Sequence, residues 1–188
     1  AAAVARGVAA ACTTAGTALV ALPTAEAPHA AWLVHLSPTA LANWASFKLT
    51  VVVRGSRRAQ LEETVRSARA LGLLGDRVAL HLQLSAEAEA SALSWVLHDL
   101  DWPHGPVTYA KPLLEELVPA AAIADSWYPS SEHSFALLLE EGATLSPHAY
   151  GWLKYVVLRY RYAPAASLAA ATRGLLGVAL QPPPEGFV

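Results

Sequence analysis

The sequence predicts an α/β domain built on a Rossmann-like, mostly parallel sheet flanked by helices. Two stretches predict its first strands. Residues 49–53 form a short β-branched apolar run, and residues 77–84 carry an apolar side chain at every second position. Between them Leu61, Val65 and Ala68 recur at helical spacing. Strands that alternate with helices through short loops are typical of a parallel sheet covered by helices.

The remainder of the chain continues this alternation. In chain order, the further predicted elements are a helix over 86–97, a strand at 107–109, a helix over 113–124, a strand at 135–139, a helix that starts at Ser146 and Pro147, and a last short strand at 177–180. Ser56 is predicted to cap the helix after the first strand. In the last helix, Trp152 and Tyr160 are predicted to face the core because they share an apolar stripe.

Composition suggests one ordered domain between two less regular segments. We expect an alanine- and proline-rich, weakly ordered segment over 1–45, the α/β domain over 46–180 and a proline-rich end over 181–188. Ala1 to Leu22 is interpreted as a low-complexity tail or loose helix, with a membrane anchor as the alternative. The sequence contains no methionine, which predicts a fragment, a processed product or an excised domain.

Charge and cysteine content restrict the partners. The chain has 13 basic and 15 acidic side chains and a net charge of -2, so it lacks the basic field that binding to nucleic acid requires. Its single cysteine, Cys12, allows no internal disulfide and leaves the redox compartment open.

The carboxyl ends of the predicted strands are where a parallel sheet binds ligands. Glu140 and Glu141 follow the strand at 135–139, and carboxylates there suit Mg²⁺ or Mn²⁺ carrying a diphosphate. Arg54 and Ser56 follow the first strand and Lys111 follows the third, so these three are candidate nucleotide-binding residues. The alternative is that the carboxylates and the arginines lie in solvated turns.

Several motifs in sequence order resemble a family of glycosyltransferase-like proteins with the GT-A fold. They are Trp127-Tyr128-Pro129, the apolar strand with its acidic end, Ser146-Pro147, Trp152-Leu153-Lys154-Tyr155 and Tyr160-Arg161-Tyr162. The resemblance spans about 47–180. It implies a domain that binds a nucleoside diphosphate sugar with a divalent metal and transfers the sugar to an unidentified acceptor hydroxyl. It also implies the secretory pathway, and contact with a membrane only through an upstream anchor.

The chain departs from the family's pattern at the metal motif. The family's Glu-Asp-Asp falls on Glu140, Glu141 and Gly142, so the last ligand has no side chain here. Gln83-Leu84-Ser85 has no acid where the family has one near the nucleotide base, and the distal acceptor half has no counterpart before Val188. The alternative function is therefore a non-catalytic glycosyltransferase-like scaffold with an eroded metal site, and no catalytic base is assigned.

A second acidic pattern, Asp99-Leu100-Asp101, is a literal D-x-D. It follows a predicted helix rather than a strand and comes early in the order of elements. It is therefore interpreted as a surface pair.

Overall fold

The computed structural model describes residues 18–111 and 126–162, together with residues 178 and 180. The predicted helix over 113–124 lies outside the described residues. Val178 and Leu180 are described, and neither lies in a strand. The domain limits predicted at residues 46 and 180 stay predictions.

The described strands form one all-parallel sheet, so the predicted Rossmann-like α/β fold is confirmed. The strand order is β3-β2-β1-β4, with β1 paired to both β2 and β4. The elements are α1 (Pro38–Ala42), β1 (Lys48–Gly55), α2 (Arg58–Arg69), β2 (Ala79–Leu84), α3 (Ala90–His98), β3 (Val107–Ala110), β4 (Ser134–Glu140) and α4 (Ala149–Arg161), preceded by 3₁₀ helices Ala27–His29 and Ala31–His35.

The alternation predicted for the second strand is confirmed in its burial. Val78, Leu80, Leu82 and Leu84 are fully buried on one face. Helix α3 begins later than predicted, at Ala90, because residues 85–89 form a turn. The N–H of Glu89 donates to the carbonyl of Ser56 at 3.0 Å, which ties this turn to the loop after β1.

Helix α4 differs from the prediction at its start and in its buried face. It begins at Ala149, because Ser146 and Pro147 belong to a preceding turn in which the Pro147 carbonyl accepts from the Gly72 N–H at 3.0 Å. Trp152 and Tyr160 are 46% and 42% exposed, so their predicted core position is wrong. The buried face carries Tyr150, Leu153, Lys154, Val156 and Leu158.

The core extends beyond the sheet into the part of the chain before residue 46. Leu36, Ala40 and Trp44 belong to the same hydrophobic cluster as the strands. Trp32 stacks on Trp44 with a centroid distance of 5.9 Å. No described helix has the length and apolar character needed to cross a membrane.

A buried ammonium lies at the centre of this packing. Lys154 is fully buried, pairs with Asp76 and places its Nζ 3.7 Å from the ring centroid of Trp44. The Tyr150 hydroxyl donates to the same Asp76 carboxylate. Burial lowers the pKa of Lys154, and the hydrogen bond to Asp76 opposes that shift. The pair joins α4 to the loop that precedes β2.

Candidate functional site

The strand order has its switch point between β1 and β4. Strands β1, β2 and β3 succeed one another in one direction across the sheet, whereas β4 lies on the other side of β1. In parallel sheets, ligands commonly bind at such a switch point, outside the carboxyl ends of the strands. Residues 54–57 and 140–142 lie at this end of β1 and β4.

The sheet register brings two predicted site residues together. Arg54 and Glu140 are paired across β1 and β4, and the Arg54 guanidinium donates to Glu140 Oε1 at 3.2 Å. The side chain of Glu140 is 69% exposed, so this ion pair lies in solvent and contributes little to stability. One cation and one carboxylate therefore lie side by side at the carboxyl ends of neighbouring strands.

Glu141 has a different environment from Glu140, since its side chain is only 15% exposed. Its Oε2 accepts from the backbone N–H groups of Ser56 and Arg57, both at 2.7 Å. Its Oε1 accepts from the Ser56 hydroxyl and from Arg57 Nε, both at 3.2 Å. Four donors from the loop after β1 thus hold one carboxylate from the loop after β4.

These contacts determine the ionisation of Glu141. Burial acts to raise its pKa, but the hydrogen bonds from Arg57 and Ser56 outweigh burial and lower the pKa below its usual range. The carboxylate is therefore ionised at neutral pH and provides a fixed negative charge at the start of α2, where the helix dipole favours it.

The start of α2 corrects the role predicted for Ser56. The N-cap residue is Arg57, which makes no side-chain capping bond, and the Ser56 hydroxyl donates to Glu141 instead. The backbone N–H of Arg58, which has no acceptor within the helix, donates to Glu89 Oε2 at 3.3 Å. The first N–H groups of this helix are therefore satisfied by carboxylates that arrive from other parts of the fold.

Two glycines shape the same loops. A Cβ added to Gly55 would lie 2.7 Å from Cβ and 2.9 Å from Cδ of Glu141, too close for the two side chains to coexist. Gly142 has a φ of 83°, a conformation that favours glycine, and nothing lies within 4 Å of the position that a Cβ would take there. Glu141 thus reaches its donors through a gap that Gly55 leaves open.

The other candidate residues lie outside this cluster. Lys111 follows β3, two strands from β1, and its Nζ donates to the carbonyl of Ala88 at 3.3 Å. Asp101 pairs with Arg69 at 2.7 Å and Asp99 lies 4.0 Å from Arg58, so both carboxylates of the literal D-x-D contact arginines of α2.

The donor set fits a divalent metal poorly. Both oxygens of Glu141 already accept two hydrogen bonds each, and Gly142 offers no side chain. Glu140 is then the one carboxylate of the predicted motif that remains open to a metal. Across residues 18–111 and 126–162, no group of three or more histidine, cysteine, aspartate or glutamate side chains is arranged to hold a metal ion.

The carboxyl end of β2 adds polar atoms that sequence reasoning missed. Gln83 Oε1 and Ser85 Oγ are buried and have no hydrogen-bond partner among the described residues. Gln83 is paired with Arg54, so these atoms lie beside the end of β1. A buried polar atom without a partner is costly, which marks this end of β2 as a place where water or a ligand group would be stabilising.

The fold and the polar residues at the end of β1 and β4 define the chain as an α/β domain with a candidate ligand site at the switch point of a parallel sheet. Residues 57–173, more than half of the chain, match the protein-family model of the SPBC1E8.03c C-terminal domain. The chain therefore belongs to that family. The matched stretch includes Arg57, Glu140 and Glu141 and begins after Arg54 and Ser56. No curated protein and no solved structure matches the chain.

Replacing Glu141 by glutamine is expected to lower the free energy of unfolding at pH 7 by about 1.5–3 kcal/mol, because hydrogen bonds to a charged acceptor are lost. The folded-state pKa of Glu141 lies below its unfolded value. Its stabilisation is therefore present above the unfolded-state pKa of about 4.3 and is lost as pH falls through the folded-state pKa.

Urea unfolding of the wild type and Glu141→Gln over a series of pH values measures this dependence. The difference between the two proteins should shrink as the pH is lowered below about 4. The exposed Glu63 on α2 provides the control variant, Glu63→Gln. A difference that stays constant down to acidic pH would mean that the Glu141 charge does not hold the loop.

Proposed function

We propose that this chain is a glycosyltransferase-like domain that keeps the position of a nucleotide-sugar site but acts as a non-catalytic scaffold, because its metal site is eroded. The contacts of Glu141 carry this proposal: its position matches a metal ligand in the resemblance to GT-A glycosyltransferases, and both of its oxygens are held by Ser56 and Arg57. A metal would have to displace four donors to bind there.

The remaining site residues support a vestigial nucleotide site rather than an unrelated surface. Arg54 and Glu140 are 86 positions apart in the chain and Ser56 and Glu141 are 85 apart, yet all four meet at the switch point. Arginine side chains and helix-start N–H groups are groups that bind diphosphates. Lys111 follows β3 at the same carboxyl edge of the sheet.

Metal-dependent sugar transfer is the second candidate, and one observation favours it. Glu140 is exposed beside Arg54 at the carboxyl end of β4, so one carboxylate remains accessible to Mn²⁺ or Mg²⁺ carrying a nucleoside diphosphate sugar. Under this candidate the metal would neutralise charge on the leaving diphosphate. The acceptor hydroxyl and the donor sugar are unidentified for either candidate.

Calorimetric titration of the full chain with UDP and with GDP, each with and without Mn²⁺, separates the two candidates. The scaffold proposal predicts that Mn²⁺ produces no increase in affinity for either nucleotide. Metal-dependent binding that disappears in Glu140→Ala, and persists in the control Glu63→Ala, would overturn it in favour of the transferase.

A further inference from the structure

The loop after β1 forms a pocket for one anion. We define the anion pocket as the N–H groups of Ser56 and Arg57, the Ser56 hydroxyl and Arg57 Nε. All four point at a single carboxylate, with two contacts at 2.7 Å and two at 3.2 Å. Backbone N–H groups at a helix start combined with an arginine are donors that carboxylates and phosphates share.

The occupant of the anion pocket is part of the chain itself. Glu141 arrives from the end of β4, and its backbone N–H donates to the Arg54 carbonyl at 2.8 Å, which continues the pairing of β4 with β1. The space for its side chain depends on Gly55, because any Cβ there would overlap Glu141. Two separate features therefore accommodate this carboxylate: the four donors bind it, and the absence of a side chain at residue 55 leaves space for it.

We propose that Glu141 is an internal anion that closes the anion pocket against a diphosphate, and so acts as an autoinhibitory contact at the switch point. This inference rests on the proposed function for the nature of the excluded ligand. Because Glu141 is tethered beside these donors, its effective concentration at the anion pocket is about millimolar or more. An external phosphate at a lower concentration would therefore not displace it. Loss of Glu141 should therefore open the pocket.

The loop that carries Glu141 has the means to withdraw it. Gly142 follows directly, its φ is 83°, and no atom outside its chain neighbours lies within 4 Å of the position that a Cβ would take there. The turn is closed by the N–H of Gly142 to the Gln60 carbonyl at 3.3 Å and by the N–H of Ala143 to the Glu140 carbonyl at 3.1 Å. A rotation at residues 141–142 would release the carboxylate while β4 stays paired with β1.

The surrounding charge favours an external anion once Glu141 is removed. Arg57 would lose the carboxylate that its Nε contacts. Pyrophosphate, which carries several negative charges, would restore the lost hydrogen bonds and neutralise the Arg57 guanidinium. Acetate is small enough to replace the deleted carboxylate alone.

The test is the binding of inorganic pyrophosphate and of acetate to the wild type, Glu141→Ala and Glu63→Ala, without metal or nucleoside. Pyrophosphate is expected to bind Glu141→Ala on the order of tenfold more tightly than the wild type and to raise its Tm. Acetate should also raise the Tm of Glu141→Ala. Neither anion should change Glu63→Ala relative to the wild type, which controls for general salt effects.

Further variants keep the outcome decisive. If Glu141→Ala does not fold, Glu141→Gln retains the shape of the side chain without its charge, and it should still bind pyrophosphate more tightly than the wild type. Adding Arg57→Ala to the Glu141 variant should abolish the gain. Equal affinity of the folded Glu141 variants and the wild type for pyrophosphate would overturn the inference. Since neither metal nor nucleotide is used, that result is independent of the UDP and GDP titration.

Discussion

Replacing Lys154 by methionine is expected to lower the free energy of unfolding by about 3–5 kcal/mol. The ammonium is fully buried between Asp76 and the ring of Trp44. Methionine fills much of the same volume but leaves the Asp76 carboxylate without its cation and the Tyr150 hydroxyl beside an uncompensated charge. Urea unfolding followed by circular dichroism measures the loss.

The exposed Lys48 at the start of β1 provides the matched control, and Lys48→Met should change stability by less than about 0.5 kcal/mol. A second variant identifies the cause of the loss. Adding Asp76→Asn to Lys154→Met removes the orphaned charge, so the double variant should be more stable than the sum of the single changes predicts. Additive losses would mean that Lys154 acts through packing on Trp44 rather than through Asp76.

Replacing Gly55 by alanine is expected to destabilise the domain by about 1–3 kcal/mol, because the new methyl group collides with Glu141. The backbone of Gly55 itself does not require glycine, since it continues strand β1. In the Glu141→Gly background, which also removes the Cβ that would lie 2.7 Å away, the obstacle is gone and the same change should cost much less. A double-mutant cycle from urea unfolding should therefore give a coupling energy of at least about 1 kcal/mol.

Gly151 in α4 is a suitable control for this cycle. Its Cβ would meet Leu74 only at 4.0 Å, so Gly151→Ala should stabilise the helix by about 0.5–1 kcal/mol in either background. If Gly55→Ala lowers the free energy of unfolding equally with and without Glu141, the glycine at residue 55 is not needed to make room for the carboxylate. That result would weaken the proposed closure of the anion pocket.

Several features of the site follow from local sequence and topology alone. The β-branched run at 49–53 and the alternation before Leu84 identify two strands, because burial on a sheet imposes a period that the sequence displays. A parallel sheet brings all carboxyl strand ends to one edge, so the placement of Arg54 and Glu140 at that edge could be anticipated without coordinates. Their contact depends on the strand order, which the sequence did not predict. Sequence reasoning also noted Gly142 as a missing ligand.

Other features depend on contacts that no local pattern encodes. Glu140 and Glu141 are adjacent acids in the sequence, yet one is exposed and the other is held by Ser56 and Arg57 from a different strand. Alternation along an extended chain sends neighbouring side chains to opposite sides, and only the register of β4 with β1 decides which of them meets the start of α2. Equating the two acids as metal ligands missed this difference.

Hydrophobic periodicity and chain order, which are properties of the sequence, were enough to establish the fold class, the strand that carries the acidic pair and the edge of the sheet at which the candidate residues lie. Contacts between distant residues were needed to establish that Glu141 fills the anion pocket, that Lys154 is buried against Asp76 and that Trp152 faces outward. These outcomes depend on which distant groups offer hydrogen bonds or space, and a polar side chain becomes buried only where such partners compensate its desolvation.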